Sequence, residues 1–168
     1  MKVIRASQEG YLFQFAAREK QLLLQVLKLY PRVPSAHHVV SRTTQLPDSV
    51  ATQRLLDEAL AEQRAENKRR LQTFFDDPSR WTEEKEELLL RLSGPEVEWL
   101  LQVLNDIRVG SWILLGSPDQ WHQSVTVQTA PHVWAMELSG AFQMAFLHAL
   151  GSGSGGSLLT VSWTCDSL

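Results

Sequence analysis

The stretch from Ser93 to Gly116, SGPEVEWLLQVLNDIRVGSWILLG, restricts the fold of this chain more than any other segment. Ser93 with Glu96 forms a Ser-x-x-Glu capping box, and Pro95 suits an early helical position. Gly116 followed by Pro118 supplies a stop. At about 100° per residue, Val97, Leu100, Leu101, Leu104, Ile107, Ser111, Trp112 and Leu115 fall on one broad face. Glu98, Gln102, Asn105, Asp106 and Val109 lie on or near the other. The pattern predicts a helix over this whole stretch, with a bend expected at Gly110-Ser111, since glycine costs about 1 kcal/mol against alanine in a helix interior. Arg108 breaks the division. It projects from the middle of the apolar stripe, with Asn105 at the stripe's edge. A buried arginine costs several kcal/mol, on the order of a whole buried ion pair, unless it is paired or hydrogen-bonded.

The remaining segments read as material packed around that helix. Lys2–Ser7 and Tyr11–Phe15 are two short runs separated by Gln8-Glu9-Gly10, and Tyr11, Phe13 and Phe15 alternate with Leu12 and Gln14. That period of two predicts a β-hairpin, its aromatic face resting on helices because a two-stranded ribbon is marginal alone. From Ala17 to about Tyr30 the period becomes helical, and Pro31 and Pro34 end it. Ser35 to Leu46 is polar and irregular. A long helix is expected from about Val50 to Phe75, with an inward stripe of Leu56, Ala59, Leu60, Gln63, Asn67, Leu71 and Phe74. Thr82-Glu83-Glu84 resembles a helix start, while Glu86–Leu92 admits a short strand instead. Ser117–Thr129 reads as a loop. Pro131 to about Leu150 predicts a last helix, apolar nearly all round and therefore buried between layers.

The predicted fold class is mainly α: a compact bundle of about four to five helices with a small N-terminal β-hairpin. Residues 1–150 form one domain in this reading, 151–157 (GSGSGGS) a flexible linker by composition, and 158–168 a tail peptide outside the fold. By composition alone that tail is a natural extension, a fusion remnant or a short recognition peptide.

Gln63 and Asn67 stand where an ordinary core places leucines, and with Arg108 and Asn105 they make the sharpest candidate cluster. Glu137, beside the inner face of the last helix, is the expected carboxylate partner, with Glu66 as the alternative. Two readings follow. The cluster is either an internal network that sets the register of three helices, or an anion or carboxylate site built on the bidentate fork of Arg108.

Other chemistries lack their signatures. His37, His38, His122, His132 and His148 form no metal spacing, and neither HExxH nor a Cys/His finger is present. Gly-x-Ser-x-Gly occurs nowhere, which leaves a serine triad without its elbow. No catalytic residue, cofactor or metal is expected. Arg64 and Lys68-Arg69-Arg70 read as a solvated helix face, with Glu62 and Glu66 interleaved. A net charge of -3 argues against strong nucleic-acid binding. No window is long and apolar enough for a bilayer span, and no secretory leader opens the chain. The single cysteine, Cys165, fits a reducing compartment, so a cytoplasmic protein is expected. Trp99, Trp112 and Trp134 fit core edges, whereas Trp81 and Trp121 suit exposed anchors for a protein partner.

The Arg5–Phe15 hairpin with Gly10, the Leu22-Leu23 helix, Asn67, and Trp99-Leu100 leading into Leu104-Asn105-Asp106-Ile107-Arg108 together resemble an uncharacterised bacterial family, a domain of unknown function. The resemblance spans roughly residues 3–150. It implies a compact helical cytoplasmic protein whose gene is often found beside that of the Clp protease adaptor ClpS. It supplies no catalytic residues. The expected role is a non-enzymatic, adaptor-like protein that binds another protein, linked with bacterial Clp-type quality control. A transcription-associated regulatory factor is the alternative, and a small-ligand or anion-binding protein using Arg108 the third.

Overall fold

The computed structural model describes residues 1–7, 10–37, 49–84, 87–119 and 125–152. Two strands, β1 (Lys2–Ser7) and β2 (Gly10–Phe15), open the chain and lead into helix α1 (Ala17–Leu27). A 28-residue helix α2 (Ser49–Asp76) follows, then strands β3 (Trp81–Glu84) and β4 (Glu87–Leu92). Helices α3 (Gly94–Leu114) and α4 (Ala130–Ser152) complete the described chain. The protein is mainly α with a small β element.

The β element is larger than a hairpin. All four strands form one antiparallel sheet in the order β1-β2-β4-β3. Phe13 pairs with Leu90 and Tyr11 with Leu92, and Trp81 lies opposite Leu90 on the far side. Phe13, Phe15, Leu90 and Leu92 are buried on one face, so β4 obeys the same period of two as β2. Leu88-Leu89-Leu90 conceals that period by being apolar throughout. Thr82–Glu84 therefore starts no helix. Its threonine and acids lie exposed on the sheet's edge strand, where charge opposes further strand pairing.

The helices lie against the buried side of the sheet. Phe146 of α4 meets Phe13 edge-on at 5.0 Å between ring centroids, and Phe142 approaches Phe15 at 6.5 Å. Trp81 closes the same aromatic row against Phe15 at 5.2 Å. α3 packs along α4, and the Gln143 amide nitrogen donates to the Leu101 carbonyl at 3.4 Å. α4 continues through Ser152, two residues into the stretch read as linker; residues 153–168 lie outside the described residues.

The cap predicted for α3 is present. The Glu96 carboxylate accepts from the Ser93 N–H at 2.9 Å and from its hydroxyl at 2.8 Å. Arg80 Nη1 donates to the other Glu96 oxygen at 2.5 Å. Burial by itself would raise the Glu96 pKa, but the bonds to Ser93 and the charge of Arg80 outweigh it and hold the carboxyl below its usual range. At the far end Gly116, with φ +85°, turns the chain out.

α2 differs from the expectation of an inward stripe along its whole length. Only Asn67, Leu71 and Phe74, near its C-terminal end, are buried. Leu56 and Leu60 are half-buried, Ala59 and Gln63 exposed, and Val50 and Leu55 keep 83% and 66% of their surface. The amphipathic period extends past the body that would cover it, and the first half of α2 has no extensive packing against another described element.

Two helical glycines have opposite surroundings. A Cβ on Gly110 would lie 2.3 Å from the Arg32 carbonyl carbon and 2.5 Å from the Val33 nitrogen, both backbone atoms. The residue is thus a site of close approach, inside a helix that is continuous through it. A Cβ on Gly140 would meet only the Arg108 side chain, no nearer than 3.5 Å. Gly110→Ala is therefore expected to destabilise by about 2 kcal/mol or more, since backbone must move. Gly140→Ala should stabilise by about 0.5–1 kcal/mol through helix propensity. Urea denaturation of the two variants checks both signs; equal effects would contradict the packing described for Gly110.

Candidate functional site

Of the five residues predicted to cluster, the structure buries one. Asn67 is 5% exposed and bridges two aromatic side chains. Its amide nitrogen donates to the Tyr30 hydroxyl at 3.0 Å, and its carbonyl oxygen accepts from Trp99 Nε1 at 3.0 Å. Burial raises the Tyr30 pKa, the Asn67 bond opposes that, and the nearby Asp106 charge adds to it. Gln63, Asn105, Arg108 and Glu137 are all exposed and do not join Asn67.

Helix geometry explains the correction at Arg108. The buried residues of α3 are Val97, Trp99, Leu100, Val103, Leu104, Ile107, Gly110 and Ser111. They occupy an arc of roughly 160° centred on Ile107, and Arg108 lies about 100° from that centre. Leu101, half-buried, and Trp112, 39% exposed, belong to the outer flank and not to the core. Counting them inward shifts the apparent stripe until Arg108 falls within it. Among the described residues no ion pair joins Arg108 to Glu137, and Glu66 is engaged by Arg69 Nε at 3.1 Å.

The opposite edge of the arc holds a cluster that sequence reasoning missed. Asp106 Oδ1 accepts from the backbone N–H of Arg32 at 2.6 Å and of Val33 at 3.3 Å. Arg32 Nη2 contacts His132 Nδ1 at 2.6 Å, and Arg64 Nη2 donates to the Val33 carbonyl at 2.8 Å. A guanidinium can only donate, so His132 accepts through an unprotonated Nδ1. Burial lowers the Arg32 pKa, and its Nε is buried without a hydrogen-bond partner among the described residues. These contacts tie the loop after α1 to α2, α3 and α4. They join residues 74 and 100 positions apart, and no local pattern signals such pairs.

Arg108 itself extends over Gly140, whose missing side chain leaves room for the guanidinium. No hydrogen bond or ion pair occupies it among the described residues, and its pairing capacity faces outward. Around it the outer faces of α3 and α4 are mixed, with Asn105 and Glu137 exposed among apolar side chains. Leu101 and Trp112 flank it on α3, while Met144 and Leu147 on α4 keep 52% and 50% of their surface. The Gln143–Leu101 contact and the Arg108–Gly140 contact run the two helices antiparallel.

Other candidates are already engaged. Arg70 stacks on Trp99 at 4.5 Å and Arg69 holds Glu66, so little of the basic run on α2 is unopposed. Trp81 is half-buried in the sheet with Lys20 over its ring at 4.6 Å, which removes it as an exposed anchor. Among the described residues no group of three or more His, Cys, Asp or Glu is placed to hold a metal, and no helix is long and apolar enough to cross a membrane. The open groove of about 630 Å³ beside Arg69, Thr73 and Asp77 is shallow and exposed, and its Gln72 and Asp76 side chains are bonded to each other. His38, Trp121, His122, Trp163 and Cys165 lie outside the described residues.

Asn67→Leu keeps the branched shape and removes both bonds, leaving Trp99 Nε1 without its acceptor. A loss of about 2–3 kcal/mol is expected by urea denaturation. A loss below about 0.5 kcal/mol would show that the bridge contributes little.

Comparison with known protein families, with curated proteins and with solved structures finds no match to this chain.

Proposed function

We propose that the chain is a non-enzymatic, adaptor-like protein that receives a protein partner on the outer seam of α3 and α4. One observation carries this reading: Arg108, which has no hydrogen bond or ion pair among the described residues, lies against Gly140 on a helical surface that also exposes Trp112, Met144 and Leu147. Exposed apolar side chains grouped on a helical face favour association. Tryptophan and arginine are the residues that most often dominate such contacts. The arrangement suits a segment that offers apolar side chains and one carboxylate, which the fork of Arg108 binds through two N–H groups.

The Clp-linked bacterial setting rests on the resemblance carried by Leu104–Arg108 and the N-terminal hairpin, and the cytoplasmic setting on the single cysteine. The regulatory-factor alternative draws less support, because Arg64, Arg69 and Arg70 are engaged within the chain. A pull-down with the full chain, carrying a photo-crosslinker in place of Met144, tests the proposal. It should recover a Clp component, and Arg108→Glu should reduce that recovery at least tenfold, in keeping with loss of a charged anchor. An empty pull-down, or recovery indifferent to Arg108→Glu, would overturn it.

A further inference from the structure

His132 is tied to the loop after α1 by a contact that only one of its protonation states can make. Arg32 Nη2 lies 2.6 Å from His132 Nδ1. A guanidinium has donors and no acceptor, so Nδ1 must offer a lone pair. A neutral imidazole with its proton on Nε2 meets that requirement. An imidazolium donates at both nitrogens, and the N–H groups of two cations would then oppose each other across the same gap. One added proton turns the contact from attraction to repulsion.

The surroundings do not compensate that proton. His132 is the third residue of α4, which starts at Ala130, so it stands in the first turn, at the positive end of the helix dipole. Arg32 and His132 are both half-buried and Val33 is 8% exposed, so solvent screens the pair less than it would on an open surface. α3 contributes Asp106, whose Oδ1 is engaged by the N–H groups of Arg32 and Val33, and Arg108, which lies against Gly140. α2 contributes a further cation, Arg64, held on the Val33 carbonyl. Tyr30, the titratable residue next to Pro31 and Arg32, is bonded to Asn67. On α4 the next charged residue is Glu137, and the described part of the α3–α4 connection carries Asp119; both are exposed. Among the described residues no carboxylate pairs with His132.

We infer that the Arg32–His132 contact is an acid-sensitive latch: protonation of His132 frees the loop after α1 from α4, while Asp106 and Arg64 keep that loop on α3 and α2. The opened state takes up a proton that the latched state excludes, so acid favours opening. The latch is complete above the range in which imidazole gains its charge, about pH 8 to 5, and is lost as the pH falls through that range. Opening is local, because the other two ties to the loop remain. The inference does not rest on the proposed partner, and either can fail without the other.

Backbone amide hydrogen exchange of the full chain at about pH 7.5 and about pH 5.5 tests it, the two values lying on either side of the usual imidazole transition. Each rate is divided by the intrinsic rate at that pH, for the Arg32 and Val33 amides and for Leu104 as a core reference in α3. Protection at Arg32 and Val33 should fall about tenfold at the lower pH, as for loss of one charge-assisted bond, with Leu104 changed less than about twofold. His132→Asn keeps a neutral acceptor close to the position of Nδ1 and should hold protection at both pH values. Arg32→Met removes the donor and should likewise abolish the pH dependence. Equal protection at both pH values in the unsubstituted chain, or an acid-dependent loss that persists in either variant, would overturn the inference. A matching fall at Leu104 would show global unfolding and overturn the local latch. Long-range proton–nitrogen spectra of the unsubstituted chain at the higher pH need no variant: Nε2 should carry the proton, and a protonated Nδ1 would also overturn the inference.

Discussion

The two edges of one buried helical arc decide how this protein is built. Helix α3 presents roughly 160° of its surface to the core, and a charged residue stands just past each side of that arc. Asp106, at one edge, meets two backbone amides of the loop after α1, the N–H groups of Arg32 and Val33. Gly110, one turn further on, lets the same loop lie against the helix at backbone distance. Arg108, at the other edge, makes no ion pair among the described residues. It extends across Gly140, where α4 lacks a side chain. One charge thus locks the fold, and the other stays available on its surface.

The lock explains where the remaining polar groups went. Arg64 holds the Val33 carbonyl and Arg32 reaches His132, so α2 and α4 both join α3 through the loop. Asn67 performs the corresponding task one layer away, joining Tyr30 to Trp99. A buried amide with both of its functional ends bonded fixes side-chain positions that apolar packing leaves freer. The cluster expected of Arg108, Asn105, Gln63 and Glu137 around Asn67 does not form; the internal polar contacts are made by Asp106, Arg32, Arg64, His132 and Asn67 instead.

Much of the architecture was legible in the sequence, because caps and periods are local. Ser93, Glu96 and Gly116 mark α3, prolines bound α1, and the alternation of Tyr11, Phe13 and Phe15 marks β2. What escaped depended on information the local pattern lacks. The triple leucine of β4 hides its alternation, and so the sheet looked like a hairpin. Leu101 and Trp112 are apolar yet outward, and counting them as core moved Arg108 inward on paper. α2 keeps its amphipathic period beyond the end of the body it packs on, which made Gln63 look buried. The Asp106–loop and Arg32–His132 contacts join distant positions, so neither cap nor period announces them.

Equilibrium denaturation of Asp106→Ala beside Arg108→Ala tests the asymmetry of the two edges most directly. Asp106→Ala should lose about 2–3 kcal/mol, because two backbone amides lose a charged acceptor. Arg108→Ala should change stability by less than about 0.5 kcal/mol, as at an ordinary surface position. The reverse order, a fold that tolerates loss of Asp106 but not of Arg108, would contradict this account of α3 and of the surface built on it.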